Sequence, residues 1–309
     1  MTLQQMVDFL AVADSGSLHA AARVTGQTQP ALSKSLRHLE QDLGAPLVTR
    51  SVKGVRMTEC GERFRLHARL VVAEAQRAKE AVGQLAGAGS GTVRYGISTA
   101  ASVLLAPGAV TAFKRRFAQV ALHSHGGLFH TLAPLLREGA IDFAICPAPE
   151  EPQAVGFSAV TLIHSEMALV ARRGHPLARE RSLRGLQNAR FVVGAPRGRI
   201  GAGIYEAFMA CGLEPPHVDI QTDTPLDTLA MVAATDHLCL VPSVLLRHGF
   251  FKDAVVALPI EEPLPVYRVQ LFRRLDVPPT PAAAALATMF EREAQRSRKS
   301  GSTAPLASA

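Results

Sequence analysis

Residues 15–50, SGSLHAAARVTGQTQPALSKSLRHLEQDLGAPLVTR, carry the pattern that most restricts what this chain can become. Ser17 is placed to cap a short helix through Ala20, Ala21 and Ala22 to about Val24, because its hydroxyl can accept a first-turn amide. Gly26 breaks that helix, and Thr28 caps a second one with Pro30 in its first turn, where a missing amide proton costs nothing. Leu32, Leu36, Leu39 and Leu43 then recur at spacings of four, three and four, which predicts one buried stripe. Gln29, Ser33, Lys34 and Arg37 fall on the opposite face, with no acid before Glu40. These side chains hydrogen-bond base edges and phosphates from the start of a helix lying in the major groove. A solvated amphipathic helix is the alternative, but a capped helix–glycine–capped helix unit is the rarer and more specific pattern. We take Thr28, Gln29, Pro30, Ser33, Lys34 and Arg37 as the candidate DNA-reading set.

The surrounding motifs add to that reading. A first helix bearing Phe9 leads into S-G-S at 15–17, Ala21 with Ala22, and Q-P-A-L-S at 29–33. There follow Leu39 with Glu40, Leu43 with Gly44, Pro46 with Leu47, Arg50, Gly54 with Val55, Met57 with Thr58, and Gly61. In this order and spacing the first sixty or so residues resemble the N-terminal domain of LysR-type transcriptional regulators. The resemblance implies a winged helix-turn-helix whose wing, KGVRMTECGE, brings Arg50, Lys53 and Arg56 to DNA. Leu18 and Val48 stand where the family usually has an aromatic residue; both stay apolar, so packing detail changes and DNA binding does not.

The chain has 309 residues, enough for two or three units with real cores. No apolar run approaches the roughly 20 residues of a membrane helix. The opening MTLQQMVDFLAVADSG has neither a positive start nor a small-residue cleavage site, so a cytoplasmic protein without membrane attachment is expected. Net charge is +7, which suits polyanionic partners. Residues 1–87 hold eleven basic against eight acidic residues, so the excess is shared with the rest of the chain. Cys60, Cys146, Cys211 and Cys239 are far apart and form no C-x-x-C pair, which reads as four small hydrophobes in a reducing compartment, with a redox sensor as the alternative.

From Gly61 to about Ala86 the sequence is helical throughout. Phe64, Ala68, Val71, Ala75, Ala78, Val82 and Leu85 alternate at four and three, a heptad seam with charges off it. Packing within its own domain is the commoner fate of such a stripe. The position between two units favours a dimer seam, and a two-fold dimer would present two reading helices about one DNA turn apart. GAGSGT at 87–92 reads as a hinge.

Beyond Val93, short apolar strands alternate with helical stretches, the pattern of a mostly parallel sheet covered by helices. Expected strands are 93–99, 120–125, 141–146, 167–173, 190–195, 217–223, 238–243 and 267–274; expected helices are 104–116, 128–138, 203–210, 226–234 and 282–293. This half, with LREGAIDFA at 136–144, GHPLA at 174–178 and LVPS at 240–243, is similar to the effector-binding domain of the same family. The resemblance implies an α/β, periplasmic-binding-protein-like clamp crossing between lobes near Ala159 and Val269. The expected units are residues 1–60, 61–87, a hinge at 88–92, an effector domain at 93–296, and a disordered tail at 297–309. Within the effector domain, lobe I takes 93–159 and 269–296, and lobe II takes 160–268.

Ligands in open α/β sheets sit beyond the carboxyl ends of strands, at helix N-termini. That selects Ser98, Thr99 and Ser102 after the first strand. Ala195, Pro196, Arg197 and Gly198 open the loop APRGRIGAG, whose glycines let amides converge and whose arginines favour an anion. A flexible turn explains those glycines equally well, and no dinucleotide fingerprint is present. Pro242 lines the cleft by its place in the family pattern. Thr224 with Asp227 reads as a helix cap. His123, His125 and His130 invite a metal, but zinc would need a fourth ligand that is not near in sequence, so strand-end histidines are the simpler reading, with His125 touching effector.

No G-x-S-x-G, H-E-x-x-H or P-loop is present, so no enzyme mechanism can be assembled. The expectation is a regulator of the LysR type without a cofactor, acting on double-stranded DNA and a small organic anion. The resemblance further implies a homodimer or homotetramer and RNA polymerase as a partner. FVVGAPRGRIGAG at 191–203 and DVPPTPAAAAL at 276–286 look most like the branch that senses aromatic sulfonates. A constitutive DNA binder whose second half serves only assembly is the rival.

Overall fold

Three capped helices open the chain in the computed structural model, which describes residues 1–51, 54–87, 89–148, 154–194, 199–222, 224–247 and 253–299. Helix α1 (Leu3–Ser15) starts at a reciprocal cap between Thr2 and Gln5. Ser17 caps α2 (Leu18–Thr25) through the Ala20 amide, and Thr28 caps α3 (Gln29–Leu43) through the Ala31 amide. Between them Gly26 takes φ 66°, a left-handed turn that an L side chain disfavours. Leu32, Leu36 and Leu39 are fully buried with Phe9 and Val12, whereas Leu43 is 37% exposed. The expected four-leucine stripe therefore loses its last member, because the helix ends there at Gly44. Leu18 and Val48, the two departures from the family's aromatic positions, are both buried in this core.

Strands β1 (Val48–Ser51) and β2 (Gly54–Met57) pair antiparallel as a wing. Helix α4 (Glu59–Leu85) follows, capped by Thr58 and so starting two residues before the expected Gly61. Its first turns belong to the N-terminal core: Phe64 meets Phe9 edge-on at 5.2 Å, and Ala68 is buried. Phe64 and Ala68 thus pack inside their own unit and are not free for a dimer seam. Val71, Val82 and Leu85 further along are exposed.

Of the expected hinge, Gly91 and Thr92 already belong to strand β3 (Gly91–Ile97). Helix α5 (Thr99–Arg116) starts five residues before the expected Leu104 and accommodates Pro107 inside it. Then come β4 (Val120–Gly126), α6 (Phe129–Arg137), β5 (Phe143–Pro147) and the long β6 (Phe157–Arg172). The second set is β7 (Arg190–Gly194), α7 (Arg199–Ala210), β8 (His217–Thr222), α8 (Pro225–Ala234), β9 (His237–Pro242) and β10 (Val255–Ala257). Strand β11 (Val266–Arg274) and helix α9 (Pro281–Lys299) return to the first set. Residues 297–299 of the expected tail are therefore helical; 300–309 lie outside the described residues.

Among the described residues nine strands form one sheet, ordered β4-β3-β5-β11-β6-β9-β7-β8, with β10 on β6. The β3 and β7 pairings are parallel; β11 runs antiparallel to β5 and β6, and β6 antiparallel to β9. Strand β6 starts ten residues before the expected 167, because its first half is paired to β11 along Phe157 to Ile163. Ala159 itself faces Phe272 within the first lobe. The passage between lobes runs through β6 and β11, the strands that hold the expected crossings near Ala159 and Val269, side by side. This topology turns the carboxyl ends of β3, β4 and β8 toward the N-termini of α5, α6 and α8.

Candidate functional site

Two regions carry the side chains singled out in the sequence. On α3, Thr28, Gln29, Pro30, Lys34 and Arg37 are exposed, Ser33 is half-buried, and Arg37 Nε donates to the Ser33 carbonyl at 3.4 Å. Arg56 is exposed on the wing. Lys53 and the Arg50 side chain lie outside the described residues.

Helix α3 is held from behind by a carboxylate that no motif in the sequence singles out. Asp8 is 1% exposed and accepts from Gln4 Nε2 at 2.9 Å, Gln27 Nε2 at 2.6 Å and Ser35 Oγ. It thereby ties α1 to the turn before α3 and to α3 itself. Glu40 completes the frame, accepting from the Leu47 and Val48 amides at 2.8 and 3.1 Å. Asp8→Ala strands the Gln27 and Ser35 donors, so the N-terminal unit is expected to lose about 1–3 kcal/mol. Urea unfolding of the full chain checks this; a midpoint equal to wild type would mean that water replaces the carboxylate without loss.

The second region is a cavity of about 380 Å³ between the lobes. Ser98, Thr99 and Pro242, expected from the sequence, line it, together with Gly127, Leu128, Thr224, Thr228 and Tyr267. Three helices begin at its wall: α5 after Ser98, α6 after Leu128 and α8 after Thr224. Each N-terminus carries a partial positive charge toward the cavity. Ser98 is 2% exposed, and its hydroxyl faces the Tyr267 phenol across the cavity wall. Burial pushes the Tyr267 phenol far above its ordinary value, so it stays a neutral hydroxyl. A second cavity of about 340 Å³ shares Leu240 and Tyr267 with the first and holds Glu206 and Arg268.

Other expected residues fall elsewhere. Ser102 lies one turn into α5, outside the lining, and its amide closes on the Ser98 carbonyl at 2.8 Å. His125 is exposed on β4, an outermost strand, where its ring turns to solvent and leaves the wall to Gly126 and Gly127. Ala195, Pro196, Arg197 and Gly198 lie outside the described residues, directly after the lining residue Gly194. Thr224 both caps α8 through the Asp227 amide and lines the cavity, and Tyr267 sits on a crossing strand; neither is marked in the sequence as a ligand contact. The thiols differ more than expected: Cys60 is exposed, while burial pushes Cys146 up to about 12 and raises Cys239 as well.

Comparison with known proteins agrees with this division. The family described as "Bacterial regulatory helix-turn-helix protein, lysR family" matches residues 3–62, and "LysR substrate binding domain" matches residues 86–295. The "HTH-type transcriptional regulator GbpR" of Azospirillum brasilense is 30% identical over 294 residues, covering 94% of this chain and 86% of that protein. The "HTH-type transcriptional regulator TdcA" of Escherichia coli K12 is 25% identical over 265 residues, covering 85% and 84%. In fold, the chain resembles full-length CbnR in complex with its target DNA, with a TM-score of 0.68, 20% identity and coverage of 95% and 100%. Among the described residues no helix is long and apolar enough to cross a membrane.

Proposed function

Because this chain belongs to the LysR family of DNA-binding transcriptional regulators, we propose that a small organic anion bound between its lobes controls how it reads its operator. The observation that carries the reading is the convergence of three helix N-termini and the buried Ser98 and Tyr267 hydroxyls on one cavity. Backbone amides at such ends bind carboxylates and sulfonates without a metal or a dedicated cation. The walls are otherwise largely apolar, through Leu128, Leu240, Val241 and Leu245, which suits an anion with a hydrophobic body. Aromatic sulfonates are one such class.

The DNA face is α3, with Gln29, Ser33 and Arg37 toward base edges and Lys34, Arg50, Lys53 and Arg56 toward phosphates. The dimer seam is the outer part of α4, from Val71 through Ala75, Ala78 and Val82 to Leu85. Two such dimers form a tetramer in this reading, in the cytoplasm, with RNA polymerase as the downstream partner.

Two measurements test it. Gln29→Ala, Ser33→Ala or Arg37→Ala is expected to weaken operator binding by about 1–3 kcal/mol each, with the fold intact. Fluorescence anisotropy on the intergenic DNA beside its own gene, competed by unrelated duplex at fixed salt, reads this; three unchanged affinities would move the reading face elsewhere. For the cavity, small carboxylates and sulfonates are screened by thermal shift and operator binding. A compound that acts on wild type and fails on Ser98→Ala supports the site; equal action on both proteins removes the cavity from the mechanism.

A further inference from the structure

Helix α6 reaches from the cavity wall to the linker helix. Its leading residues, Gly127 and Leu128, line the cavity. Nine residues later, at about 1.5 Å per residue, it ends against α4. There Glu138 Oε2 meets Arg69 Nη1 at 3.2 Å, and the Gly139 carbonyl accepts from Arg77 Nη1 at 2.9 Å. The other end of the Arg69 guanidinium binds Asp14 near the end of α1. One side chain therefore joins the DNA-reading unit, the linker helix and the effector domain.

The rod between these ends is firmly seated. Phe129, Leu132, Ala133 and Leu136 are buried on the sheet, and the Phe129 ring lies 4.9 Å from Phe272 and 6.1 Å from Phe157. A Cβ at Gly96 would approach Leu132 to 2.9 Å, so α6 lies almost in contact with the β3 backbone. At the far end a Cβ at Gly139 would meet Arg77 Nη2 at 2.4 Å, so the guanidinium lies directly against the turn. A close-packed element of this kind moves as a body when pushed, since its core does not deform continuously.

We propose that α6 carries changes at the cavity to the DNA-reading unit, and that Arg69 is the positioning residue that receives them. The proposal rests on the effector-cavity reading above for its biological input, but its geometry does not depend on any ligand. If instead Arg69 only braces two domains, disturbing α6 at its cavity end affects the operator equally with and without Arg69.

The test is a double-mutant cycle on operator affinity, using the full chain without added ligand. Gly127→Ala places a Cβ 2.4 Å from Thr131 Oγ1 and so displaces the cavity end of α6. Glu138→Gln releases the far end without changing side-chain size, and serves alone if Gly127→Ala disturbs folding. Each is expected to change operator affinity by about threefold to tenfold in the wild-type background. In the Arg69→Gln background the same substitutions should change it less than about twofold. Equal fold-changes in both backgrounds, or no change from Gly127→Ala and Glu138→Gln, would overturn the link. Such a failure leaves the cavity reading standing, because that reading is judged separately by anions on Ser98→Ala.

Discussion

Gly61→Ala is expected to weaken operator binding by destabilising the N-terminal unit. A Cβ at Gly61 would lie 2.0 Å from the Leu47 carbonyl oxygen, a backbone atom. Leu47 cannot withdraw, because its amide is held by Glu40 Oε1 at 2.8 Å and its carbonyl accepts from the Thr58 amide at 3.0 Å. Its side chain is also buried in the core, 1% exposed. The alternative, moving α4 outward, breaks the Phe9–Phe64 contact and the cap between Thr58 Oγ1 and the Gly61 amide. Such overpacking against backbone costs about 3 kcal/mol, a large share of what a unit of this size has. The corresponding fall in its unfolding temperature is roughly 10–20 °C. Calorimetry of the full chain should show the N-terminal transition lowered and the effector-domain transition in place. Operator affinity equal to wild type would mean that α4 can shift without loosening the wing.

Phe290→Ala is expected to do the reverse: destabilise the effector domain by about 3–5 kcal/mol and spare the N-terminal unit. The ring is fully buried, 5.7 Å from Tyr95 and 6.1 Å from Phe143. It belongs to α9, the last element among the described residues, which closes the first lobe against α5 and β3. The start of α9 also secures the linker helix, since the Ala282 amide donates to Gln84 Oε1 at 2.9 Å. Truncating the ring therefore opens a cavity and loosens the seam between the returning helix and the rest of its lobe. Calorimetry again separates the two units. An unchanged effector-domain transition would show that Tyr95 and Phe143 collapse into the space.

Local chemistry was enough to read the N-terminal unit. Ser17 and Thr28 cap where their hydroxyls predict, Gly26 turns between them, and Leu32, Leu36 and Leu39 face inward, because caps and helical periodicity act over a few residues. The alternation of strands and helices after Val93 likewise declared an α/β domain. Ser98 and Thr99 could be placed at a cavity because strand ends and helix starts are local signals too, whereas Pro242 came from the family resemblance.

What the tertiary structure decided depends on residues far apart in the chain. Strand β6 continues through the crossing because β11, about a hundred residues later, pairs along it. Phe64 looks like a dimer-seam residue in sequence and packs on Phe9, since a heptad stripe does not name its partner. Asp8 gives no sign of its role until Gln27 and Ser35 close around it. His125 and Ser102 failed as lining residues because an edge strand and a helix turn aim them elsewhere. Tyr267 and the meeting of Arg69 with Asp14 and Glu138 exist only once three units are assembled. Capping, turns and periodic burial are short-range interactions, legible in the sequence; register, side-chain partners and the contacts between units are long-range, and only packing fixes them.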